Sequence, residues 1–441
     1  MAVIGLDDTD SRCEGMCTTY LATRLAERIE ATAPVERRLL VRLNPAVEHK
    51  TRGNAALALH TDLDASDAFE LACDEIESLA IGTDARTSPG VVVAPGDPKA
   101  VPEAVYTHAC RAIRHKHTLA ETLGVLETAG YQHRGWAGED CDVRGRGRIG
   151  ALAAVGAWAA FDDWSYERIT YREFDRCGTS RDVDHEAVFG AAEKGYPTVW
   201  DTVDREAGEA VCVPNAPGPI LYGIRGDDPI AVERVANEIT AADGTEPVDR
   251  QATFITNQGT DSHLAAGEFG SLREGTGYRV DGVVGTAPET RRGGHVFFVL
   301  GSGYRHDDND AVQDAHLTCA AFEPTKRFRE HVRSLRVGDR LTVCGEHTEG
   351  TIKLEKFAVR ALNRTERVTP ECSDCGRRMK SAGRKQGYRC RDCGTSAPGK
   401  LERSIERDLE VGWYEVPPAA RRHIAKPLVR GGFDAPVHPE R

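Results

Sequence analysis

Four cysteines late in the chain, Cys372-x-x-Cys375 and Cys390-x-x-Cys393, stand in two pairs, each followed by a glycine, Gly376 and Gly394. Thiolates at this spacing hold Zn²⁺ tetrahedrally, and the glycine lets the backbone turn around the ion. All four ligands are sulfur, so the zinc is structural and closed to substrate. The segment is too small for a core of its own, and metal binding on the order of 10–16 kcal/mol would drive its folding.

A second group lies at the other end of the chain. Asp7, Asp8 and Asp10 follow the apolar run Ala2–Leu6 directly. Crowded carboxylates at a strand end repel one another unless a cation joins them, and Mg²⁺ shared with phosphate oxygens is one solution. The other is an acidic Asx-turn that caps the next helix. Gly15-Met16-Cys17-Thr18-Thr19 then opens a helix, where free backbone N–H groups and hydroxyls suit a phosphate, or where the threonines serve as N-caps. There is no Walker A motif, so a nucleotide site here is not a P-loop.

Three further loops carry polar groups. His49-Lys50-Thr51-Arg52-Gly53-Asn54 is cationic and either clamps phosphates or RNA, or is a solvated connection. Gly145-Arg146-Gly147-Arg148-Ile149-Gly150 puts charge and small residues before an apolar stretch, as a phosphate approach or a tight packing turn. Asn257-Gln258-Gly259-Thr260-Asp261-Ser262-His263 groups amide, acid, hydroxyl and imidazole after a strand, a pattern that favours a binding loop.

The elements that must position these groups fall into regions. Up to residue 130, strand-like and helix-like segments alternate, with Leu21, Leu25 and Ile29 on one helical stripe, which predicts an α/β or α+β unit. Residues 131–265 contain a strand at Ile220–Arg225, a helix from Pro229 and a strand at Ala252–Thr256, half of a ferredoxin-like sandwich. Residues 270–365 give five strands with one helix between the third and fourth, the order of an OB-fold. The zinc ribbon occupies 366–400, and 401–441, mixed in Pro, Arg and acid, reads as a partly ordered tail.

Composition narrows the class. The chain has 441 residues, 40% hydrophobic and 29% charged, which suits several folded domains. No stretch is long and apolar enough to span a bilayer, and the acidic start is unlike a signal peptide, so a cytoplasmic protein without membrane contact is expected. The 13 cysteines fit a reducing compartment. A net charge of −12 argues against a nucleic-acid partner until its distribution is read: Arg377, Arg378, Lys380, Arg384, Lys385, Arg389 and Arg391 form a basic island in the ribbon.

Together, Ile4–Ser11, Gly15–Thr19, Lys50–Asn54, Gly150–Ala154 and Thr256–His263 resemble, in order, the motifs of the archaeal isoleucine-tRNA 2-agmatinylcytidine synthetases. The resemblance runs to about Gly394. It implies an N-terminal α/β kinase-like ATP-binding domain, then a ferredoxin-like domain, an OB-fold and a zinc ribbon. It implies an ATP-dependent ligase, with ATP, Mg²⁺ and structural Zn²⁺ as cofactors. Agmatine and an isoleucine tRNA with a CAU anticodon are the implied partners, and the modified anticodon would read AUA instead of AUG. The catalytic threonine falls on Thr18 and the acidic cluster on Asp7, Asp8 and Asp10. Gly15, Thr19, Lys50, Arg52, Asn54, Asn257, Gln258 and Asp261 are the expected ligand-binding residues, with Asp261 facing the agmatine dication. The acidic run Gly138–Val143 departs from the family pattern. A rival reading is a non-catalytic OB-fold and zinc-ribbon nucleic-acid-binding protein, which would not need the Asp cluster beside Thr18. Another is a related ligase that uses a different amine.

Overall fold

The first strand, β1 (Ala2–Asp7), is buried on both faces, which explains why it reads as an unbroken apolar run rather than an alternating one. The computed structural model that shows this describes all residues except 12–14, 49, 51–52, 81, 83, 85, 138–143, 304–314 and 385. With β2 (Val35–Arg42), β3 (Ala55–Thr61), β4 (Gly90–Pro95) and β5 (Gln132–Gly135), it forms a sheet in the order β5-β4-β1-β3-β2. Helices α1 (Thr18–Glu30) and α2 (Ala65–Leu79) cover one face through Leu21, Leu25 and Ile76 against Ile4 and Leu6. On the other face lie α3 (Glu103–Ala112), α4 (Leu119–Ala129) and α5 (Arg148–Ala160), with Leu152 and Val155 against Val3 and Val92.

Every pairing among these five strands is antiparallel, so the unit is α+β and the expected α/β class is corrected. Helices and strands alternate along the chain in both classes, so sequence order alone does not distinguish them. β5 and α5 lie beyond residue 130, yet β5 pairs with β4 and α5 packs across the sheet. The first unit therefore runs on to 160. Gly5 is what allows α5 so close: a Cβ there would stand 2.1 Å from the Ala151 carbonyl oxygen. Gly5→Ala is expected to cost about 1–3 kcal/mol by forcing α5 off the sheet, seen as a lower midpoint in thermal denaturation; an unchanged midpoint would mean the helix shifts freely.

The sheet continues. β6 (Ser165–Arg172), α6 (His185–Gly195), β7 (Val199–Trp200), β8 (Ile220–Gly226), α7 (Pro229–Thr240) and β9 (Val248–Thr256) contribute strands in the order β9-β6-β8-β7, and α6 and α7 share one core with them. β9 pairs with β2 in parallel, which makes a single nine-stranded sheet. Asp228 caps α7 by accepting from Ala231 N, with Pro229 in its first turn, as the sequence predicts for a helix start there.

After β10 (Leu264–Ala266) the chain forms a barrel from β11 (Thr276–Val284), β13 (Val296–Gly301), β14 (His316–Ala321), β15 (Arg340–Thr348) and β16 (Thr351–Ala361), with the short β12 (Glu289–Thr290) beside β13. Closure runs β11-β13-β14-β16-β15 and back to β11, with β14 and β16 parallel. Helix α8 (Phe328–Arg333) inserts Phe328 and Val332 among Phe298, Val343 and Phe357. A ladder of β17 (Thr365–Val368) and β21 (Leu401–Ser404) carries the ribbon, whose three strands are β18 (Lys380–Ser381), β19 (Tyr388–Arg389) and β20 (Ser396–Ala397).

The expectation of a partly ordered tail is overturned. β22 (Gly412–Glu415) pairs with β16, and Trp413 and Leu428 are buried in a shared cluster. Arg421, fixed between Asp201 and Glu415, ties this segment to the large sheet. The apolar residues here are too widely spaced for a periodic signal, so the Pro and Arg content dominates the sequence reading.

Candidate active site

β1 ends at Asp7, and the next residue, Asp8, has a φ of 58°. A short polar side chain tolerates this left-handed conformation, and the turn brings three carboxylates to one place. The Asp7 carboxylate accepts from Asp8 N at 2.7 Å. Gly150 in α5 lies so near that a Cβ would stand 2.0 Å from Asp7 Oδ2, and one on Gly147 would stand 2.5 Å from the Asp7 carbonyl oxygen. The Gly145–Gly150 turn is thus a tight packing turn, and it also delivers Arg146, whose Nη2 donates to Asp8 Oδ2 at 2.6 Å.

Thr18 is the first residue of α1, and neither Thr18 nor Thr19 is its N-cap. The helix start is capped from outside: Asp10 Oδ1 accepts from Thr18 N at 2.6 Å and from Thr18 Oγ1 at 3.3 Å. Thr9 donates to the same hydroxyl oxygen through its Oγ1 at 3.1 Å and its N at 3.4 Å. The Thr18 hydroxyl proton is therefore directed at a carboxylate while its lone pairs are held by Thr9.

A cavity of about 300 Å³ opens beside this turn. Asp7, Asp8, Asp10, Arg146 and Gly150 form one end of its lining, and Lys50, Asn54, Glu48, Lys116, His115 and His117 also line it, with Leu43, Val47, Ala55, Ala112 and Ile149 as apolar wall. Burial and the charge of Asp8 push the Asp7 carboxyl well above its usual range. Asp8 is pushed up to about 7, by burial first, with Arg146 opposing. Three carboxylates here face the single guanidinium of Arg146, and a bound cation would supply the positive charge that one arginine leaves short.

The expected ligand residues do not all meet here. Asp7, Asp8, Asp10, Lys50 and Asn54 line the cavity; Asn54 also braces its own loop by donating to the Asn44 carbonyl at 2.8 Å. Thr18 stands one hydrogen bond behind the wall, through Asp10. Thr19 contacts Cys17 Sγ at 3.2 Å, and Gly15, with φ of 88°, is packed against Cys177. Arg52 and the acidic run 138–143 lie outside the described residues.

The Asn257–His263 loop lies at a seam, away from this cavity's lining. Asn257 clamps the Arg42 backbone at 2.7 and 3.1 Å, Gln258 Oε1 accepts from Arg42 Nε at 2.8 Å, and His263 Nε2 lies 3.0 Å from the Arg42 carbonyl. Asp261 pairs with the buried Lys356 of β16 at 2.6 Å. These groups join the large sheet to the barrel, which is why polar residues cluster there. Arg146, Lys116, Glu48, His115 and His117 are polar cavity residues not counted among the expected ligands; the Gly-Arg-Gly-Arg pattern signals the first, and nothing in the sequence marks the others.

In the ribbon, the ligand sulfurs of Cys372, Cys375, Cys390 and Cys393 lie within 4.8 Å of one another, the single group of this kind among the described residues. Gly376 N and Gly394 N donate back to the Cys372 and Cys390 carbonyls at 2.8 and 3.1 Å, both glycines having positive φ. This donor set fits tetrahedral zinc.

Carboxylates and cationic side chains line one cavity, and the fold and site define the class: a multidomain α+β protein with a charged cavity and a zinc ribbon. Family models narrow this further. The TiaS TCKD domain matches residues 3–63, the TiaS FLD domain 145–263 and the TiaS C-terminal zinc ribbon domain 369–409. The isoleucine-tRNA 2-agmatinylcytidine synthetase TiaS of Haloquadratum walsbyi is 58% identical, over 100% of both chains. The crystal structure of a TiaS complex with isoleucine tRNA and ATP is similar with a TM-score of 0.85 and 39% identity, covering 100% of this chain and 99% of that one. The TiaS complex with isoleucine tRNA, AMPCPP and agmatine gives 0.82 and 36%, with the same coverage. The chain belongs to the isoleucine-tRNA 2-agmatinylcytidine synthetase (TiaS) family.

Proposed function

We propose that the protein is an ATP-dependent ligase that attaches agmatine to carbon 2 of the wobble cytidine of an isoleucine tRNA with a CAU anticodon, changing its reading from AUG to AUA. Full-length identity to a synthetase of that name carries this reading; the Asp7–Asp8–Asp10 cavity beside Thr18 supplies its chemistry. A pyrimidine carbonyl oxygen is a poor leaving group. The O2 atom must first become a phosphate ester: an O2–P bond forms while a P–O bond of ATP breaks, the electron pair staying on the departing phosphate oxygen. The agmatine amine then bonds to carbon 2, the C2–O bond breaks, the oxygen leaves on phosphate, and the amine loses its proton.

The domain reading has topological support. The order β9-β6-β8-β7 with α6 and α7 supports a ferredoxin-like unit within 131–265. Five-strand closure with α8 between β14 and β15 supports an OB-fold over 270–365, with the ribbon over 366–400. The unit built on 1–130, continued through α5, is the kinase-like one. Asp7 and Asp10, with Asp8 already paired to Arg146, would hold Mg²⁺, which when bound would neutralise phosphate charge. Asp10 is the base toward which Thr18 directs its proton. Lys50, Arg52 and Asn54 would meet phosphate oxygens. The proposed compartment is the cytoplasm; no helix among the described residues is long and apolar enough to cross a membrane.

The target base must leave the anticodon loop to be reached, and a barrel and a basic ribbon suit single-stranded RNA. Arg378, Lys380, Arg384 and Arg391 are exposed on the ribbon. Cys390→Ser, or zinc removal by a chelator, is therefore expected to weaken tRNA binding about tenfold or more with ATP binding nearly unchanged. Filter binding and nucleotide titration of the same preparation check this; equal loss of both would assign the zinc to global stability. The reading as a whole is tested by incubating the protein with ATP, agmatine and isoleucine tRNA transcript. Nucleoside mass analysis should then find 2-agmatinylcytidine, and its absence would reject the reading.

A further inference from the structure

One wall of the carboxylate cavity is organised around a single peptide unit. Leu43, the first residue after β2, lines the cavity together with Asn54 and Ala112, and backbone hydrogen bonds bring the three together. Leu43 N donates to the Asn54 carbonyl at 2.9 Å, and Asn44 N donates to the Ala112 carbonyl at 3.0 Å. The carbonyl between those two N–H groups, that of Leu43, is met from 380 residues further along the chain: His423 Nε2 lies 3.1 Å from it. A carbonyl oxygen only accepts, so Nε2 carries the proton. Burial above all pushes this imidazole well below its ordinary range, so the ring is neutral and that proton is its only one.

The ring is held at its acceptor from both sides. Before it, Arg422 donates to Glu355 and, at 2.9 Å, to Glu346. After it, Ile424 and Ala425 are buried and Lys426 N donates to Asp261. The His263 ring, which meets the preceding carbonyl of Arg42, stands edge-on to it with 5.1 Å between centroids. We infer that His423 is a positioning residue of the proposed reaction: by donating to the Leu43 carbonyl it fixes the Leu43–Asn44 peptide, and with it the cavity wall that presents Lys50 and Asn54 to ATP. The inference rests on the reading under Proposed function. Without the donor, the carbonyl of the buried Leu43 is unpaired, and rotation of the peptide to find another partner takes Leu43 and Asn44 away from Asn54 and Ala112. The C-terminal segment thereby belongs to the framework of the site, although none of its residues is in the cavity's described lining.

A simpler role is open to the same ring, as a filler of the seam, and side chains of graded reach separate the two. Glutamine carries an amide N–H to about the place of Nε2, asparagine stops near the place of Nδ1, and leucine has no donor. His423→Leu is expected to raise the KM for ATP about five- to tenfold, with kcat within about twofold of the parent and with parental tRNA affinity and melting temperature. His423→Asn should share that rise, whereas His423→Gln should return KM to within about twofold of the parent. Parental KM in His423→Leu would overturn the inference and leave a filler. So would a rise in KM that glutamine does not relieve. If the leucine variant unfolds or loses stability, the asparagine and glutamine variants decide, and equal KM values in those two would overturn the inference. The parental protein is assayed for 2-agmatinylcytidine in parallel. Product from the parent with unaffected variants sinks only the role of His423, whereas no product from the parent sinks the functional reading itself.

Discussion

Thr18→Ala is expected to abolish formation of 2-agmatinylcytidine, by about 1,000-fold or more, while the protein keeps its fold. The side chain is buried at the first turn of α1. What the substitution removes is a hydroxyl held at 3.1 Å by Thr9 Oγ1 and directed at Asp10 Oδ1, 3.3 Å away. Hydrogen bonds of this kind contribute roughly 1 kcal/mol each, so the loss of stability is modest. The helix cap is unaffected, because Asp10 accepts from the Thr18 backbone N, which alanine retains. A hydroxyl that takes part in the chemistry, by contrast, leaves no substitute when removed. Thr18→Ser should therefore restore most of the rate. Labelled agmatine incorporation in a single turnover, measured beside a thermal melt, checks both variants. Parental activity in Thr18→Ala would reduce the hydroxyl to a brace for the Asp8–Asp10 turn.

Much of the scaffold is legible because its signals are local. The strand at Ala2–Leu6, the Leu21/Leu25/Ile29 stripe, the Pro229 helix and the barrel strands each depend on residues close in sequence, and the structure places all of them. The four cysteines are legible for the same reason: ligand spacing within each knuckle is fixed by one backbone turn. What local patterns do not carry is pairing. Antiparallel closure of β1 with β3 and β4, and the parallel joint of β2 with β9, depend on partners distant in the chain.

The binding site divides along the same line. Asp7, Asp8 and Asp10 adjoin one strand end, and that cluster reaches the cavity. The Asn257–His263 loop has equally polar composition, but its partners are Arg42, Arg114 and Lys356, from elements far along the chain. A polar loop whose groups meet other elements and one whose groups line a cavity look alike until those partners are known. Lys116 shows the converse: an ordinary lysine after α3 enters the cavity only because α3 lies across the sheet from α1.

Asp8→Asn is expected to stop ATP turnover, by about 100-fold or more, and to leave tRNA binding nearly intact. Asparagine has the same shape and accepts the left-handed backbone that Asp8 occupies at φ 58°. The fold has no reason to change, and only the charge facing Arg146 is lost. The pH dependence makes the test sharper. The Asp8 carboxyl is pushed up to about 7 by burial, so the folded protein holds a proton there that the unfolded chain releases near the ordinary carboxylate range. A raised carboxyl stabilises the fold below that ordinary range, and its contribution falls away as pH rises through about 7. The ionised form, which orients Arg146, is populated only above that point. Parental turnover should therefore decline as pH falls below about 7, while Asp8 favours stability in the opposite direction. The asparagine variant removes both trends: at about pH 8, above the folded-state value, it should melt no lower than the parent and still fail to consume ATP. A variant that turns over normally, or that loses tRNA binding and melting temperature together, would remove Asp8 from the chemistry and make it a structural residue.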